Sequence, residues 1–237
     1  MKTVAILLCG GSSNRMQGIT EDKVLSEILG KTSAEHSLLA FEASGVIDSY
    51  LVVYRKGAQL AQLKELLPPL TSKEIRWTEG GFERQQSVHN ALQSSPDTTD
   101  IVLIHDCARP LIHPESISRV YEAAVKDKVA VLGHRVVDTI KQVPATATSP
   151  RQTELRDLDR NRLWAMETPQ AFSFRLIKMC YEKITEEGHR ITDDTAAASR
   201  YDYRVTVVEN HHPNPKITYP EDLALAELLL QQRDAGR

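Results

Sequence analysis

The sequence predicts an α/β fold: a mostly parallel, twisted sheet with helices on both faces. Two observations carry this. Short β-branched runs alternate with longer segments of helical period, the pattern of βαβ units. The apolar runs that read as strands also end in small or polar residues, at the carboxyl ends where open α/β sheets bind ligands. With 237 residues, 41% hydrophobic and 26% charged, the chain is long and apolar enough to bury a sizeable core.

Thr3 to Leu8 reads as the first strand. The opening "MKTVAILLCGG" has one lysine and a short apolar run, and no small-residue cleavage pattern follows, so it is read as structure rather than as a signal peptide. Ser33 is placed as the cap of a first helix in which Ala34, Leu38 and Phe41 share a face, with Gly45 just past its end. Ile47 to Tyr54 and Glu74 to Trp77 are the next strands, and Val88, Ala91 and Leu92 mark a helix after them. Ile101 to His105, Val129 to Leu132 and Val205 to Val208 complete the strands. Thr218 as cap, Pro220 in the first turn and Glu221 closing a capping box start the last helix, with Leu225, Leu228 and Leu229 along one face. Only about Val136 to Arg160 breaks the alternation. It contains Pro144, Pro150 and the low-complexity piece "PATATSP", and reads as an excursion with its own job or as a link.

Composition narrows the function. Lys plus Arg number 29 against 32 Asp plus Glu, a net charge of -3, so the chain has no basic field for nucleic acid and any anion site must be local. No apolar run approaches the roughly 20 residues of a membrane helix, and a cytoplasmic location is expected. Cys9, Cys107 and Cys180 lack the spacing of a zinc site or a disulfide framework and read as small buried residues.

Chemistry is suggested at three loops. Cys9, Gly10, Gly11, Ser12 and Ser13 follow the first strand, where glycines let backbone amides approach an anion as a positively polarised nest. The loop is neither G-x-G-x-x-G nor a P-loop, but it carries Arg15 and, eight residues on, Lys23. Two cations beside a nest can hold a triphosphate, although a tight turn with solvated cations accounts for the loop about as well. In "LIHDCARPLI" a strand ends at Asp106, a carboxylate able to hold Mg²⁺ together with substrate phosphates, with Arg109 placed for a phosphate. Capping of the following turn is the alternative for Asp106. In "GGFERQQSVHNAL", Gly81, Arg84 and Ser87 enter a helix whose N-terminus can take a nucleobase or phosphate edge, or is simply a capped turn.

Together with "VVDTIK", "DRNRLWAMETPQAF", "ITDDTAAA" and "PKITYPEDLALAE", in that order and spacing, these segments resemble the 2-C-methyl-D-erythritol 4-phosphate cytidylyltransferase family over nearly the whole chain. The resemblance implies a Rossmann-like fold of the nucleotide-diphospho-sugar transferase type, one domain over 1–237, with a β-arm at about 136–160 reaching a twofold partner. It implies CMP transfer from CTP to methylerythritol phosphate with Mg²⁺ or another divalent cation, and release of pyrophosphate. By position, Cys9, Gly10, Gly11 and Ser13 would cradle CTP, and Arg15 and Lys23 would stabilise the pentavalent transition state. Gly81, Arg84 and Ser87 would meet the cytidine. Asp106 would serve metal, nucleotide and substrate. Arg109, Thr139, Arg160 and Lys216 would hold the polyol phosphate, with Thr168 and Gln170 nearby.

The chain departs from the family pattern in places. Lys23 lies one residue farther from the arginine than usual, which leaves Lys31 as a rival, and Phe82 replaces a common Asp. Asn210 stands where the family prefers Gly, in a turn whose left-handed backbone Asn tolerates, and Pro213 stands where an acidic residue can contact the polyol. Ribitol 5-phosphate is therefore an alternative substrate, and a non-catalytic nucleotide-binding homologue an alternative class. No general base is required, and His105, His113, His211 and His212 read as structural or solvated.

Overall fold

The structure, a computed structural model, describes residues 1–11, 22–55, 57–147, 149 and 151–235. Strand β1 (Thr3–Leu8) is followed by a small antiparallel ribbon of β2 (Glu27–Ile28) and β3 (Lys31–Thr32), helix α1 (Ser33–Ser44) and β4 (Ser49–Tyr54). Then come α2 (Gln59–Leu66), β5 (Ile75–Glu79), α3 (Arg84–Ser94), β6 (Ile101–Asp106), α4 (Pro114–Asp127) and β7 (Val129–Arg135). A two-stranded ribbon, β8 (Lys141–Gln142) with β9 (Arg156–Asp157), precedes β10 (Trp164–Ser173), α5 (Phe174–Glu186), α6 (Asp194–Arg200), β11 (Thr206–Glu209) and α7 (Glu221–Ala235).

The main sheet runs β11-β7-β10-β6-β1-β4-β5, and every pairing in it is parallel except those of β10, which is antiparallel to both neighbours. Because side chains alternate along a strand, β1 feeds two cores. Ala5 and Leu7 pack with Leu38 and Phe41 of α1 and with Ile117 and Val120 of α4. Val4, Ile6 and Leu8 pack on the other face with Val88 and Leu92 of α3 and Ile177, Cys180 and Tyr181 of α5. Each fully buried large apolar side chain stabilises the fold by roughly 1.5–3 kcal/mol relative to exposure, so both faces must be covered.

Sequence and structure differ at several points. Strand β10 was not anticipated, because Glu167, Thr168, Pro169 and Gln170 interrupt its apolar pattern; the register with β7 shifts between Met166 and Gln170. Thr32, not Ser33, caps α1: its hydroxyl and the Glu35 carboxylate form a reciprocal capping box, while the Ser33 hydroxyl donates to the Cys107 carbonyl at 2.5 Å. Gly45 ends α1 as expected, at a left-handed φ of 71°. At α7 the Asp222 carboxylate, rather than Glu221, accepts the Thr218 and Tyr219 amides at 2.7 and 2.8 Å. Its buried face is Ala226 and Leu230, packed on Ile28, Leu111 and Ile217, whereas Leu225 and Leu228 are exposed. Asn210 has no positive φ; its amide donates to the Gly133 carbonyl at 2.7 Å and its side chain is buried. No described helix is long and apolar enough to cross a membrane.

Candidate active site

The carboxyl edge of the sheet brings the three loops together. Leu8 of β1 is in register with Asp106 of β6, so the first loop and Asp106 begin side by side. On the other side, a Cβ on Gly10 would sit 3.5 Å from the Tyr54 carbonyl carbon, and the Gly80 amide donates to the Tyr54 carbonyl at 2.8 Å. The chain from Gly80 onward thus closes against the end of β4, next to the first loop.

Ser13 and Arg15 lie outside the described residues. Cys9 continues the sheet: its amide donates to the Val53 carbonyl at 2.8 Å and its carbonyl accepts the Gln59 side chain at 2.9 Å. Its backbone is therefore engaged inside the fold, and the glycine turn proper starts at Gly10. The Cys9 thiol is raised well above its ordinary range by its contact with Cys107 and by burial, which keeps it protonated. Asp22, on the far side of the loop, is held by the Gln59 amide, the Arg55 guanidinium at 3.4 Å and the Val24 N–H at 3.2 Å. The next residue approaches the glycines: Lys23 Cε lies 3.8 Å from where a Gly11 Cβ would be. Lys31 instead sits exposed on the β2–β3 ribbon.

Gly81 cannot carry a side chain, since a Cβ there would sit 2.3 Å from the Gln86 Cβ. Its amide donates to the Ser87 hydroxyl at 3.0 Å, and that hydroxyl donates in turn to the Glu83 carbonyl at 3.2 Å. The Gln86 side chain accepts the Phe82 amide at 2.8 Å. Ser87 thus braces the turn, and Phe82 at its tip is 99% exposed.

At the centre lies a chain of alternating charges. Asp106, with 13% of its side chain exposed, accepts Arg84 Nε at 3.0 Å on one oxygen and Lys216 Nζ at 2.5 Å on the other. Arg84 uses its two terminal nitrogens on Asp194, at 2.9 and 2.8 Å, a fork that only a guanidinium supplies. Asp194 is fully buried and also accepts the Tyr181 hydroxyl. Burial alone would raise the Asp106 carboxyl, but Arg84 and then Lys216 outweigh it and hold it well below the usual carboxylate range, so Asp106 is ionised.

Strand β10 supports this centre from beneath. The Thr168 hydroxyl accepts the Asp106 amide at 3.1 Å and pairs with His105 Nδ1 at 3.0 Å. Burial pushes the His105 pKa down to about 3, which leaves the ring neutral and structural. Gln170 donates to Asp193 at 3.0 Å and accepts the Thr195 amide at 3.0 Å, fixing the start of α6 and with it Asp194. The buried Glu167 carboxylate accepts Asn214 at 2.7 Å and Asn210 at 2.9 Å and pairs with His134 at 2.6 Å. The Asn214 carbonyl holds Arg109 Nη1 at 2.7 Å, while Arg109 Nε and Asn214 Oδ1 are buried without a hydrogen-bond partner among the described residues. Buried orphans of this kind carry an unmet demand for a ligand or water.

Gly10, Gly11, Lys23, Gly81, Arg84, Asp106, Arg109, Thr168 and Lys216 therefore share one edge of the sheet. Thr139 and Arg160 do not join them: both are exposed at the root of the arm, where Arg160 donates to the Val137 carbonyl at 3.0 Å. Asp194 and Glu167 were not singled out from sequence. For Asp194 the signal was the "TDDT" ahead of a run of alanines, a helix-start pattern that draws attention to its cap, Asp193.

The arrangement offers open glycine backbone, the Lys23 cation close to it and an ionised carboxylate set among cations. That suits two anionic reactants brought close together. A single carboxylate is enough for Mg²⁺, which takes most of its ligands from phosphate and water, and each Asp106 oxygen accepts one bond of the about two it can take.

The family model described as 2-C-methyl-D-erythritol 4-phosphate cytidylyltransferase (IspD) matches residues 3–232. Relatives bearing that enzyme name include one from Crocosphaera subtropica, 34% identical over 96% of this chain and 98% of its own length. Another, from Caldanaerobacter subterraneus subsp. tengcongensis, is 36% identical over 98% of this chain and 100% of its own. Among solved structures, 4-diphosphocytidyl-2C-methyl-D-erythritol synthase from Anaerococcus prevotii superposes with a TM-score of 0.83 at 27% identity, covering 97% of this chain and 96% of that one. The 2-C-methyl-D-erythritol 4-phosphate cytidylyltransferase from Thermus thermophilus does so with 0.77 at 28% identity, covering 98% and 100%.

Proposed function

The chain belongs to the 2-C-methyl-D-erythritol 4-phosphate cytidylyltransferase family, and on that premise we propose that it transfers CMP from CTP to 2-C-methyl-D-erythritol 4-phosphate. The products are 4-diphosphocytidyl-2-C-methyl-D-erythritol and pyrophosphate, on the route to isoprenoid precursors. The single observation that carries the reading to this chain's own atoms is the register of Leu8 with Asp106, which sets the glycine turn beside the Arg84–Asp106–Lys216 cluster.

In the reaction an oxygen of the polyol phosphate attacks the α-phosphorus of CTP in line. The new P–O bond forms as the bond to the β-phosphate oxygen breaks, and that electron pair leaves with pyrophosphate. The attacking oxygen is already ionised at neutral pH, so neither a protein nucleophile nor a general base is required. Catalysis then rests on positioning and on neutralising charge. The backbone of Gly10, Gly11 and Ser13 cradles the triphosphate, and Arg15 and Lys23 meet the charge that builds at phosphorus. The closeness of Lys23 to Gly11 favours it over Lys31 for this part. The cytidine lies against the turn at Gly81, which Ser87 braces from within, and Arg84 positions Asp106. Arg109 and Lys216, with Thr168 beneath, receive the polyol phosphate. A divalent cation, Mg²⁺ in the simplest case, would be held by Asp106 and the nucleotide phosphates and would add further neutralisation of the triphosphate.

We take residues 1–237 as one catalytic unit whose arm, at about 136–160, serves a homodimer. Val137, Ile140, Val143 and Leu155 are exposed apolar residues of the arm, which supports a partner there. Thr139 and Arg160 would then contribute to the partner's site.

Incubating the protein with Mg²⁺, CTP and either methylerythritol phosphate or ribitol phosphate, and measuring pyrophosphate, tests the reading. Release with methylerythritol phosphate alone is expected. Release only with ribitol phosphate reassigns the substrate, and release with neither leaves a nucleotide-binding homologue.

A further inference from the structure

We propose that His113, Glu115 and His212 form a second metal site, for one Zn²⁺ ion, that staples the loop 210–216 to the start of α4. One ligand atom from each of the three residues lies within 4.8 Å of the others. The two imidazole rings lie face to face, 3.8 Å apart and 17° from parallel. His212 Nε2 and Glu115 Oε2 are 3.3 Å apart. A tetrahedral ion with ligands at about 2.0–2.1 Å separates each pair of ligand atoms by about 3.3–3.4 Å, so the His212–Glu115 pair, now hydrogen-bonded, is already at that separation and the cluster, within 4.8 Å, needs only a small contraction in distance.

The sequence builds the cluster from two rigid pieces. His113 is the N-cap of α4 in extended conformation, Pro114 opens the helix, and Glu115 stands in its first turn. His212 comes from the loop after β11, and that loop is anchored just beside it. Asn210 Oδ1 accepts both the His212 amide at 3.2 Å and the Ser116 hydroxyl at 2.9 Å, and Asn210 Nδ2 donates to the buried Glu167. The position of His212 relative to α4 is thus fixed by hydrogen bonds that do not use the three ligand side chains. All three lie at the surface, half-buried or exposed, which leaves room for a water as the fourth ligand.

Two imidazoles and a carboxylate suit Zn²⁺, whereas Mg²⁺ prefers an all-oxygen set. Among the effects that oppose binding, the stacking is the largest: lone pairs in two near-parallel ring planes do not converge on one ion, so one surface ring must turn about its side-chain bonds to coordinate. The helix N-terminus carries partial positive charge, which the Glu115 carboxylate offsets. His113 Nδ1 accepts the Glu115 amide at 3.3 Å, and coordination through either ring nitrogen gives up that long bond, by competition at Nδ1 or by a change of tautomer. The loop that would be stapled also carries Asn214, which holds Arg109, and Lys216, which holds Asp106. An ion here would therefore steady two substrate contacts without touching the substrate.

Untagged full-length protein, stripped with a chelator, is titrated with Zn²⁺ against a chromophoric zinc chelator in excess Mg²⁺. One equivalent should bind, and His212→Gln and Glu115→Gln should each weaken binding by at least about tenfold while keeping the wild-type circular dichroism. Zn²⁺ should also slow amide exchange over residues 210–216 in the wild type and not in the variants. No zinc retained, or zinc held equally well by both variants, overturns the proposal and leaves the cluster as an ion pair beside two stacked rings.

Discussion

Replacing Arg84 with Met tests the charge chain at the centre of the site. The substitution keeps a long, flexible stem but removes three hydrogen bonds, two to Asp194 and one to Asp106. Asp106 keeps Lys216, whereas the fully buried Asp194 keeps, among the described residues, the Tyr181 hydroxyl alone. Leaving one member of a buried ion pair alone is destabilising by about 3–5 kcal/mol. Since 32% of the Arg84 side chain is exposed, water screens part of this, and the lower end, about 3 kcal/mol, is expected. With a urea slope of about 3 kcal/mol/M for a chain of this size, the unfolding midpoint should fall by about 1 M. Adding Asp194→Asn removes the stranded charge, so the double variant should be more stable than Arg84→Met alone. Urea unfolding followed by circular dichroism on the wild type, both single variants and the double variant gives the full cycle. A midpoint unchanged in Arg84→Met, or strictly additive losses, would refute the claim that the pair acts as a unit.

Other perturbations reach other parts of the site. Gly81→Ala puts a methyl group 2.3 Å from Gln86 Cβ and should destabilise by about 1–3 kcal/mol and raise the KM for CTP, read by calorimetry and pyrophosphate release; wild-type values for both would mean that the turn yields freely. His105, with its pKa near 3 in the fold against 6.5 ordinarily, takes up a proton more readily when the chain is unfolded. Its contribution is complete above about pH 6.5 and is lost as the pH falls toward 3, amounting to about 2 kcal/mol by pH 5. His105→Leu should flatten that part of the stability–pH curve in urea titrations, and an unaltered slope would show that the buried ring is not the cause. Arg15→Ala should lower kcat by roughly 10²–10³ with unchanged unfolding, and wild-type turnover would reduce the first loop to a simple turn. Deleting Ala145 to Ser149 should weaken the dimer in sedimentation, whereas an unchanged assembly would locate the interface away from the arm.

The strands whose faces are all apolar were legible from sequence, because a parallel strand buried on both sides is a near-continuous apolar run, as in "TVAILL". The two segments that meet at the first loop and Asp106 are each visible in the sequence, but their conjunction is not, because it rests on the pairing of β1 with β6, strands far apart along the chain. Strand β10 was not legible. Glu167, Thr168 and Gln170 are buried polar residues satisfied by Asn210, Asn214, His105 and Asp193, partners that no local window contains. The buried face of α7 was legible only in part, Leu229 packing on the core while Leu225 and Leu228 do not, because its leucines occur on more than one side and "EDLALAELLL" fits several helical phases equally well. Asp194 looked like part of a helix start; only tertiary structure shows that its carboxylate faces Arg84.

The contacts that complete the charge chain are far apart along the polypeptide: Arg84 meets Asp194, and Asp106 meets Lys216, each across 110 residues. During synthesis, Arg84 and Asp106 therefore emerge long before the groups that finish their coordination. The sheet from β5 to β6 can form first, but the catalytic edge stays electrostatically incomplete until the segment after β11 has left the ribosome. A nascent chain stalled before residue 210 would hold its first strands around an Asp106 that has Arg84 and not Lys216, so competence for substrate should arrive in the final steps of folding rather than with the core.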